Sequence, residues 1–422
     1  MLRVLQRRTS GLNNPKFIAL LAIILTALNL RAAVTALPPL IPRIQEALGI
    51  SATSIGILGM IPTAMFAMSA FTTPWLLRKH SLHAVLISAM VLTASGQILR
   101  VLGPSFPMLI TGSIITLFAI GATNALIPIA IRVHFPLRIS GLSTTYMFAM
   151  QVGMSTAPLF AEPIAAATSW QFSLASWAFL AILGALAWLP LFHASSRTSP
   201  TPNTKRQKLA VWRTPVGLGM AIMFGCTSLV TYSLMMFIPR IYVDAGADLQ
   251  FGATMLAWWS ALGLLLAFVG PWVVARFNDP FPIVLVFIAL FLIGNAGMAW
   301  DAMSAPWLWI TLSALGPCSF PIALTLINLR AKTIDGATAL SAFGQGAGYT
   351  TACIGPLGFG LLYDYTGDWF GPTIFTSTSL LFVALGSWFA TRNIHVEDQL
   401  PHVISKATER TSVLAGNSDT TR

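Results

Sequence analysis

The chain has 422 residues, of which 55% are hydrophobic and 9% are charged, and its mean hydropathy is +0.75. Soluble domains carry about a quarter charged residues, so this composition excludes a water-soluble globule and predicts an all-α integral membrane protein. The net charge of +11 comes without a soluble basic domain. We therefore expect the lipid bilayer as a partner, and no nucleic acid.

Twelve apolar segments follow one another along the chain, each about 20 residues long, the length that crosses a bilayer core as a helix. The sequence predicts these spans at 17–38, 53–77, 84–103, 106–131, 141–166, 172–192, 215–239, 252–275, 282–300, 306–328, 338–362 and 371–391. The first segment is too long for the apolar part of a cleaved signal peptide. We expect it to remain in the membrane as a transmembrane helix.

A basic segment rich in Ser, Thr and Pro lies between the sixth and seventh spans, at 193–214. Such a composition is typical of a flexible linker. The chain is therefore predicted to form an N-terminal half at 1–192 and a C-terminal half at 215–391, with six spans in each. We expect the polar segment 392–422 to be a disordered cytoplasmic tail.

Lysine and arginine predict the orientation, because loops on the cytoplasmic side carry an excess of both. If the spans alternate in direction, 20 of the 24 lysines and arginines lie on the side of the two termini. Both termini are therefore predicted to be cytoplasmic, in a bacterial cytoplasmic membrane. The remaining four are Arg31, Arg43, Arg100 and Arg240. We expect Arg100 at the outer end of the third span, reaching towards the lipid headgroups.

The two halves also share a repeat at an offset of 197 residues. Ile41-Pro42-Arg43-Ile44 corresponds to Ile238-Pro239-Arg240-Ile241, and Pro74-Trp75 corresponds to Pro271-Trp272. Because each half has an even number of spans, both halves enter the membrane from the same side. The sequence thus predicts a parallel repeat about an axis along the membrane normal.

These stretches resemble the major facilitator superfamily, and within it the group of bacterial cyanate and 2-nitroimidazole transporters. The similar stretches are LNLR (28–31), PPLIPRI (38–44), LGIS (48–51) and TYSLMMFIPRIYVDAG (231–246). Thr227 stands where the family resemblance leads us to expect Gln. The resemblance implies a twelve-helix secondary transporter, open alternately to either side, for cyanate-like anions or nitroimidazole-like solutes.

Arg31 is the first candidate for binding a solute, because it lies within an otherwise apolar run. A charge near the bilayer centre costs about 3 kcal/mol, and such residues usually face a wet cavity. A guanidinium presents a planar fork that suits carboxylate-like or linear anions. The alternative is a structural ion pair. The one acid predicted within a span is Glu162, near the outer end of the fifth.

Helical spacing and the repeat suggest further residues around the same cavity. Thr35 lies one turn from Arg31, and the offset of 197 relates this pair to Ser228 and Tyr232. Two polar stripes are predicted in the fifth and eleventh spans, namely Gln151, Ser155 and Glu162, and Ser341, Gln345 and Tyr349. The alternative is hydrogen bonding between helices, worth about 0.6 kcal/mol in membranes. Apolar walls are expected from Phe237, Trp258 and Trp259.

Three residues are candidates for gating or coupling. Arg43 and Arg240 follow prolines at the outer ends of the first and seventh spans, where gate or headgroup contacts are expected. Glu162 would have to act alone in the main rival function, a proton-coupled exporter of cationic drugs. A second rival, a membrane enzyme or sensor, would need a catalytic cluster or a soluble signalling domain, and neither is evident in the sequence.

Cysteines and histidines do not indicate a metal or a cofactor. All three cysteines lie in apolar spans without metal-ligand spacing, and the six histidines are predicted in loops or in the tail. We therefore expect no metal, no cofactor and no catalytic residues. The expected partners are a small-molecule solute, with protons or a counter-ion, and the protein is expected to be a monomer.

Overall fold

The computed structural model of the protein describes residues 15–194 and 209–400, and twelve helical spans follow one another in these ranges. Eight spans are single helices. They are span 2 (Ala52–Lys79), span 3 (Leu82–Leu99), span 4 (Phe106–His134), span 5 (Ile139–Ala167), span 7 (Pro215–Asp244), span 8 (Leu249–Arg276), span 9 (Phe281–Asp301) and span 12 (Phe370–Thr391).

The other four spans are interrupted. Span 1 consists of Pro15–Thr35, a 3₁₀ turn at Pro38–Leu40 and Ile41–Leu48, and span 6 consists of Trp170–Ser176 and Ala178–Ala194. Span 10 has a 3₁₀ turn, Gly316–Cys318, between Pro306–Leu315 and Ser319–Leu329. Span 11 is divided into Ile334–Ala352 and Ile354–Thr366. The breaks at Pro38 and Pro317 have a local cause, since proline cannot donate a backbone hydrogen bond.

Short polar residues at their N-termini help to set where the helices begin. Ser51, Ser81, Thr214 and Asp248 each accept a hydrogen bond from the backbone N–H three residues further on. This arrangement is the usual N-cap, which satisfies a donor that the helix leaves free. At the other end of span 1, Gly49 has a positive φ of 62°, a conformation that glycine adopts without strain.

Ten of the spans are long and apolar enough to cross a membrane by length and composition. The other two are spans 5 and 11, which carry the two predicted polar stripes. With an even number of spans, the chain enters span 1 and leaves span 12 at the same face of the bundle. We call this face the termini face and the opposite one the distal face.

Packing within the two halves follows the same pattern, as the sequence repeat predicts. In the N-terminal half span 1 packs against spans 5 and 6, span 4 against spans 2 and 3, and span 3 against span 6. In the C-terminal half span 7 packs against spans 11 and 12, span 10 against spans 8 and 9, and span 9 against span 12. The predicted twelve-span fold with two parallel six-helix halves is confirmed.

Contacts between the halves obey the same symmetry, because span 2 packs against span 11 and span 5 packs against span 8. Spans 2 and 11 approach most closely on the distal side, where Gly56 lies against the Pro356 carbonyl and Gly360 against the Ala52 carbonyl. Glycine permits this approach because a Cβ at either position would overlap the facing backbone. Towards the termini face the two spans diverge, and a Cβ at Gly346 would meet only the tip of Phe71, at 4.0 Å.

Three expectations need correction at the termini face. Residues 392–400, which were assigned to the disordered tail, are ordered, and Val396–Gln399 forms a 3₁₀ turn. The backbone N–H of Val396 donates to the Arg330 carbonyl at 2.8 Å. His83 and His134 lie inside helices, with their Nε2 atoms 2.9 Å apart. Seven spans also extend at least two residues further than predicted at this face, namely spans 1 to 6 and span 11. Residues 195–208 of the linker and 401–422 of the tail lie outside the described ranges.

Candidate functional site

The Arg31 side chain lies where the two halves meet, near the middle of span 1, and it is half-buried. Its Nη1 donates to the Tyr232 hydroxyl of span 7 at 3.4 Å, and its guanidinium carbon lies 5.9 Å from the centre of the Phe66 ring of span 2. The phenols of Tyr146 and Tyr349 are within electrostatic range of the charge. Spans 1, 2, 5, 7 and 11 thus all contribute to the surroundings of one cation.

No carboxylate forms an ion pair with Arg31 among residues 15–194 and 209–400. The acid that the sequence analysis considered, Glu162, is instead bound to Arg43. A guanidinium away from water is costly unless it is paired and hydrogen-bonded. A Tyr hydroxyl at 3.4 Å uses only one of its five donors, so the group retains most of its capacity to bind an anion.

The polar stripes of spans 5 and 11 make different contacts in the two halves. Gln151 of span 5 donates from Nε2 to the backbone carbonyl of Ser260 in span 8, across the interface between the halves. Gln345 of span 11 donates to Ser341 of the same helix at 2.8 Å. The Tyr349 ring packs edge-on against Phe66, with the ring centres 6.0 Å apart. The stripes therefore face the interface from both halves, although Gln151 and Gln345 do not contact one another.

Three hydroxyls that were predicted in the site are bonded to the backbone or buried. Thr35 donates to the Arg31 carbonyl at 3.1 Å, and Ser155 donates to the Gln151 carbonyl at 3.0 Å. The Ser228 hydroxyl is buried, and the structure gives it no hydrogen-bond partner. Of the two residues that the repeat relates, Thr35 and Tyr232, only Tyr232 forms a hydrogen bond with the Arg31 side chain.

At the distal face Arg43 and Glu162 form an ion pair with three hydrogen bonds. Arg43 donates from Nε to both carboxylate oxygens, at 3.0 and 3.1 Å, and from Nη2 to Oε1 at 2.6 Å. Glu162 is almost fully buried, whereas the Arg43 side chain is one-third exposed. Such a two-pronged pair combines charge with geometric specificity and joins span 1 to span 5 within the N-terminal half.

The repeat partner of Arg43 makes a different contact, which joins the halves. Arg240 donates from Nη1 to Gln45 at 2.5 Å and from Nε to Asp244 at 3.4 Å, and it lies over the Tyr363 ring at 4.9 Å. Close by, Asp364 of span 11 accepts hydrogen bonds from the backbone N–H groups of Ala52 and Thr53 at the start of span 2. These contacts close the distal face.

Arg100 does not reach the headgroups as expected, because the end of span 3 turns it into the bundle. It is 1% exposed, and its Nη1 donates to the Ala33 carbonyl of span 1 at 3.2 Å. It lines a small cavity on the distal side of Tyr232. The signal in the sequence was the position of Arg100 at the apolar end of a span, which does not distinguish a buried arginine from one that reaches the membrane surface.

The expected apolar walls also need revision. Phe237 is fully buried and packs against Phe359 and Trp369, so it belongs to an aromatic cluster between spans 7 and 11. Trp258 is 42% exposed and donates from its indole nitrogen to Thr311 of span 10. The aromatic group that contacts Arg31 is Phe66, which the sequence analysis did not identify.

A helical bundle of two matching halves related by a parallel repeat is the architecture of transporters that open to alternate sides of a membrane. The sequence profile of the Major Facilitator Superfamily matches residues 19–356. The chain belongs to this superfamily, and it is a multi-pass membrane transporter of the secondary type.

Two curated relatives from Escherichia coli (strain K12) are similar along most of their length. The cyanate transport protein CynX is 27% identical over 359 residues, which are 83% of this chain and 91% of the relative. The 2-nitroimidazole transporter is 26% identical over 383 residues, which are 89% of this chain and 95% of the relative. A bacterial homologue of the human lysosomal transporter Spinster, solved in an inward-facing and occupied conformation, is 14% identical with a TM-score of 0.73. The match covers 91% of this chain and 98% of that one, and it supports the fold alone.

Proposed function

We propose that the protein transports a small anionic or heterocyclic solute by alternating access. The solute has about the size of cyanate or a nitroimidazole, and Arg31 binds it. The observation that carries the proposal is the half-buried Arg31 guanidinium, which lies between the halves without a carboxylate partner in the described chain. A bound anion would compensate this charge. The proposal is supported by relatives named for cyanate and for 2-nitroimidazole.

The neighbours of Arg31 suit a flat or linear solute. A guanidinium binds a planar anion through two parallel N–H groups, while the Phe66 ring and the Tyr232 hydroxyl offer an apolar face and a polar edge beside it. The amides of Gln151 and Gln345 and the hydroxyls of Thr35, Ser155, Ser228 and Tyr349 would complete the site after rearrangement. Each of them is now bonded within the protein or buried, so this part of the proposal requires rotation of the Thr35 and Ser228 side chains and movement of spans 5 and 11.

Access would alternate through the contacts that now close the distal face. The Arg240–Gln45 and Asp364–Thr53 hydrogen bonds join the halves at that face, so they must break before the site opens there. The distribution of lysine and arginine assigns the termini face to the cytoplasm. The present conformation would then be closed to the outside.

The charge of the solute limits how transport is driven. Moving an anion into a cell with a negative interior costs about 2.3 kcal/mol per charge per 100 mV. Uptake would therefore require coupling to protons, to a cation or to exchange, whereas export of an anion would not. For coupling, Glu162 would first have to release Arg43, with which it forms three hydrogen bonds.

The test is uptake by purified protein in liposomes, with labelled cyanate, other small monovalent anions and 2-nitroimidazole, with and without a pH gradient. Arg31→Gln is expected to lower anion uptake about 10- to 100-fold, because one charge-assisted contact is worth about 1.5–3 kcal/mol. Arg276→Gln, the same change on an exposed arginine at the termini face, serves as the matched control and should transport normally.

Unchanged uptake by Arg31→Gln would refute the role of Arg31. The drug-exporter alternative would be favoured by a specific pair of results, namely cationic-drug transport that survives Arg31→Gln and is lost in Glu162→Gln. Reconstituted protein that binds none of the anions and none of the heterocycles would refute the proposed solute class while leaving the family assignment intact.

A further inference from the structure

Arg100 is a second buried cation that the transport site does not use. It directly follows the last residue of span 3, it is 1% exposed, and its Nη1 donates to the Ala33 carbonyl at 3.2 Å. Its Nε is buried and has no hydrogen-bond partner. One carbonyl therefore serves a group with five N–H donors.

No acidic side chain compensates this charge within the described ranges, where the ion pairs are formed by Arg43, Arg240, Lys332 and His395. An arginine cannot escape the cost of burial by losing its proton. A buried charge without a partner is strongly destabilising. The position therefore calls for a counter-charge from outside the chain.

The space for a ligand lies beside the guanidinium. Arg100 lines a small cavity between the halves on the distal side of the bundle, together with Leu58, Leu117 and Met235. Tyr232, which also contacts Arg31, lines the same cavity. The cavity has room for about one water-sized group. Such a space excludes a phosphate ester, a carboxylate with a substituent and a linear anion of several atoms, and a monatomic halide is the anion nearest to it in size.

Two polar side chains without hydrogen-bond partners lie one helical turn from Arg100 and from Ala33. Gln97 lies about one turn before Arg100 in span 3, and Asn29 lies one turn before Ala33 in span 1. Both side chains are fully buried, and the amide nitrogen and oxygen of each have no hydrogen-bond partner. Buried polar groups are normally satisfied, and a bound water or ion is a common partner where the protein itself supplies none.

Arg330 is a buried arginine with a structural role, and its hydrogen bonds differ from those of Arg100. Arg330 is 6% exposed, and it donates to the Ala390 carbonyl, the Thr391 carbonyl and the Asn393 side chain. All three nitrogen atoms of its guanidinium, including Nε, therefore donate to neutral acceptors. Arg100 has one acceptor and an adjoining cavity.

We propose that Arg100 binds a small monovalent inorganic anion, of the size of chloride, in this cavity. The site is separate from Arg31 and is divided from it by Tyr232. It does not depend on the role proposed for Arg31, because the argument rests on the burial of Arg100, its missing partners and the adjoining cavity.

The test is thermal unfolding of the purified protein in detergent, in sodium gluconate and in rising concentrations of sodium chloride or bromide at constant ionic strength. Gluconate is too large for the cavity. A ligand that binds the native state raises the unfolding midpoint with its concentration, and we expect a rise of about 4 °C at saturating halide. Arg100→Gln should abolish the halide-dependent rise and should be at least as stable as the wild type in gluconate.

Two controls separate this site from the others. Arg31→Gln should keep the halide-dependent rise even if it loses transport. Arg330→Gln should lower the midpoint equally in both salts. If Arg100→Gln does not fold, Arg100→Lys replaces it in the unfolding experiment. A wild-type crystal soaked in sodium bromide gives a second test, because the anomalous signal of bromide should lie beside Arg100.

Three results would overturn the proposal. They are a wild-type midpoint that does not respond to halide, a halide response that survives Arg100→Gln, and bromide-soaked crystals without an anomalous peak at Arg100. A response lost in Arg31→Gln but kept in Arg100→Gln would place the anion at Arg31 and support the transport proposal alone.

Discussion

The buried and half-buried arginines of the two halves differ in what accepts their hydrogen bonds. In the C-terminal half, Arg330 at the termini face is surrounded by two backbone carbonyls and an asparagine side chain. In the N-terminal half, Arg100 has one carbonyl and an orphan Nε, and Arg31 has one tyrosine hydroxyl. A buried cation surrounded by fixed acceptors holds helices together, whereas one with free donors is available to a ligand.

Repeat-related positions show the same asymmetry. Arg31 corresponds to Ser228, so the cation of the site comes from the N-terminal half alone. Arg43 and Arg240 are both arginines, but Arg43 pairs with Glu162 inside its own half and Arg240 reaches Gln45 in the other half. Duplication preserved the backbone packing, while the contacts of the charged groups diverged. The N-terminal half therefore supplies the charge, and the C-terminal half supplies a polar surface that faces it.

The largest effect on stability is expected at Arg330. Arg330→Gln removes hydrogen bonds to the Ala390 and Thr391 carbonyls and leaves buried acceptors unsatisfied, so we expect a loss of about 3 kcal/mol in the free energy of unfolding. Thermal unfolding in detergent measures this loss. Arg330→Lys, which keeps the charge but not the planar fork, should recover part of it. If the unfolding midpoint of Arg330→Gln equals that of the wild type, Arg330 has no structural role, and the contrast between a structural Arg330 and a ligand-binding Arg100 is lost.

A smaller effect, on conformation, is expected at Arg240. Arg240→Gln weakens the contact with Gln45 and the stacking on Tyr363, together worth about 1 kcal/mol, so the population open at the distal face should rise about fivefold. Distances between spin labels at Leu102→Cys and Tyr365→Cys, in a background without the native cysteines, report this opening. Both positions are exposed.

Arg276→Gln is again the matched control for Arg240→Gln, and its distance distribution should equal that of the parent. If Arg240→Gln leaves the distribution unchanged as well, the Arg240–Gln45 contact does not hold the distal face closed. Arg43 and Arg240 would then differ in the residues that they contact but not in their effect on opening of the distal face.

The smallest effect is expected from Glu397, which follows span 12. Burial by itself would raise the pKa of Glu397, but hydrogen bonds from the Lys332 and Thr333 backbone and from the Thr333 hydroxyl outweigh it, so the pKa lies below its ordinary value of 4.5. A carboxylate with a lowered pKa stabilises the native state above its ordinary pKa, and this contribution is lost as the pH falls through the native value.

Between pH 7 and pH 4, the wild type should therefore lose slightly more stability than Glu397→Gln, by up to about 1 kcal/mol. Unfolding midpoints of the two proteins at pH 7, 5 and 4 measure the difference. Equal losses in both proteins would show that the segment 392–400 is held by its backbone and apolar contacts alone.

Much of the fold could be predicted because its signals are local. The length of each apolar segment predicted a span, and the capping serines at 51 and 81 lie where spans 2 and 3 begin. The repeat at an offset of 197 predicted two similar halves. It also brought Tyr232 into consideration as a neighbour of Arg31, and these two residues are hydrogen-bonded across the halves.

The surroundings of single polar residues could not be predicted in the same way. Arg100 and His83 lie close to span ends, where sequence pattern allows either burial or exposure, and both are buried. Glu162 was considered as a group acting alone, yet Arg43 binds it. The segment after span 12 has a polar composition, but residues 392–400 are held by Arg330, Lys332 and Thr333 of the loop between spans 10 and 11.

The sequence by itself determined that this chain crosses the membrane twelve times in two parallel halves, because hydropathy and helical hydrogen bonding act within a segment of about 20 residues. Only the tertiary structure decided which charges are paired. The partners of Arg100, Arg43 and Arg31 lie 67, 119 and 201 residues away along the chain, and such pairs are made by packing between spans. Helix packing therefore left Arg31 and Arg100 with donors to spare, while it gave Glu162 and Arg330 three hydrogen bonds each.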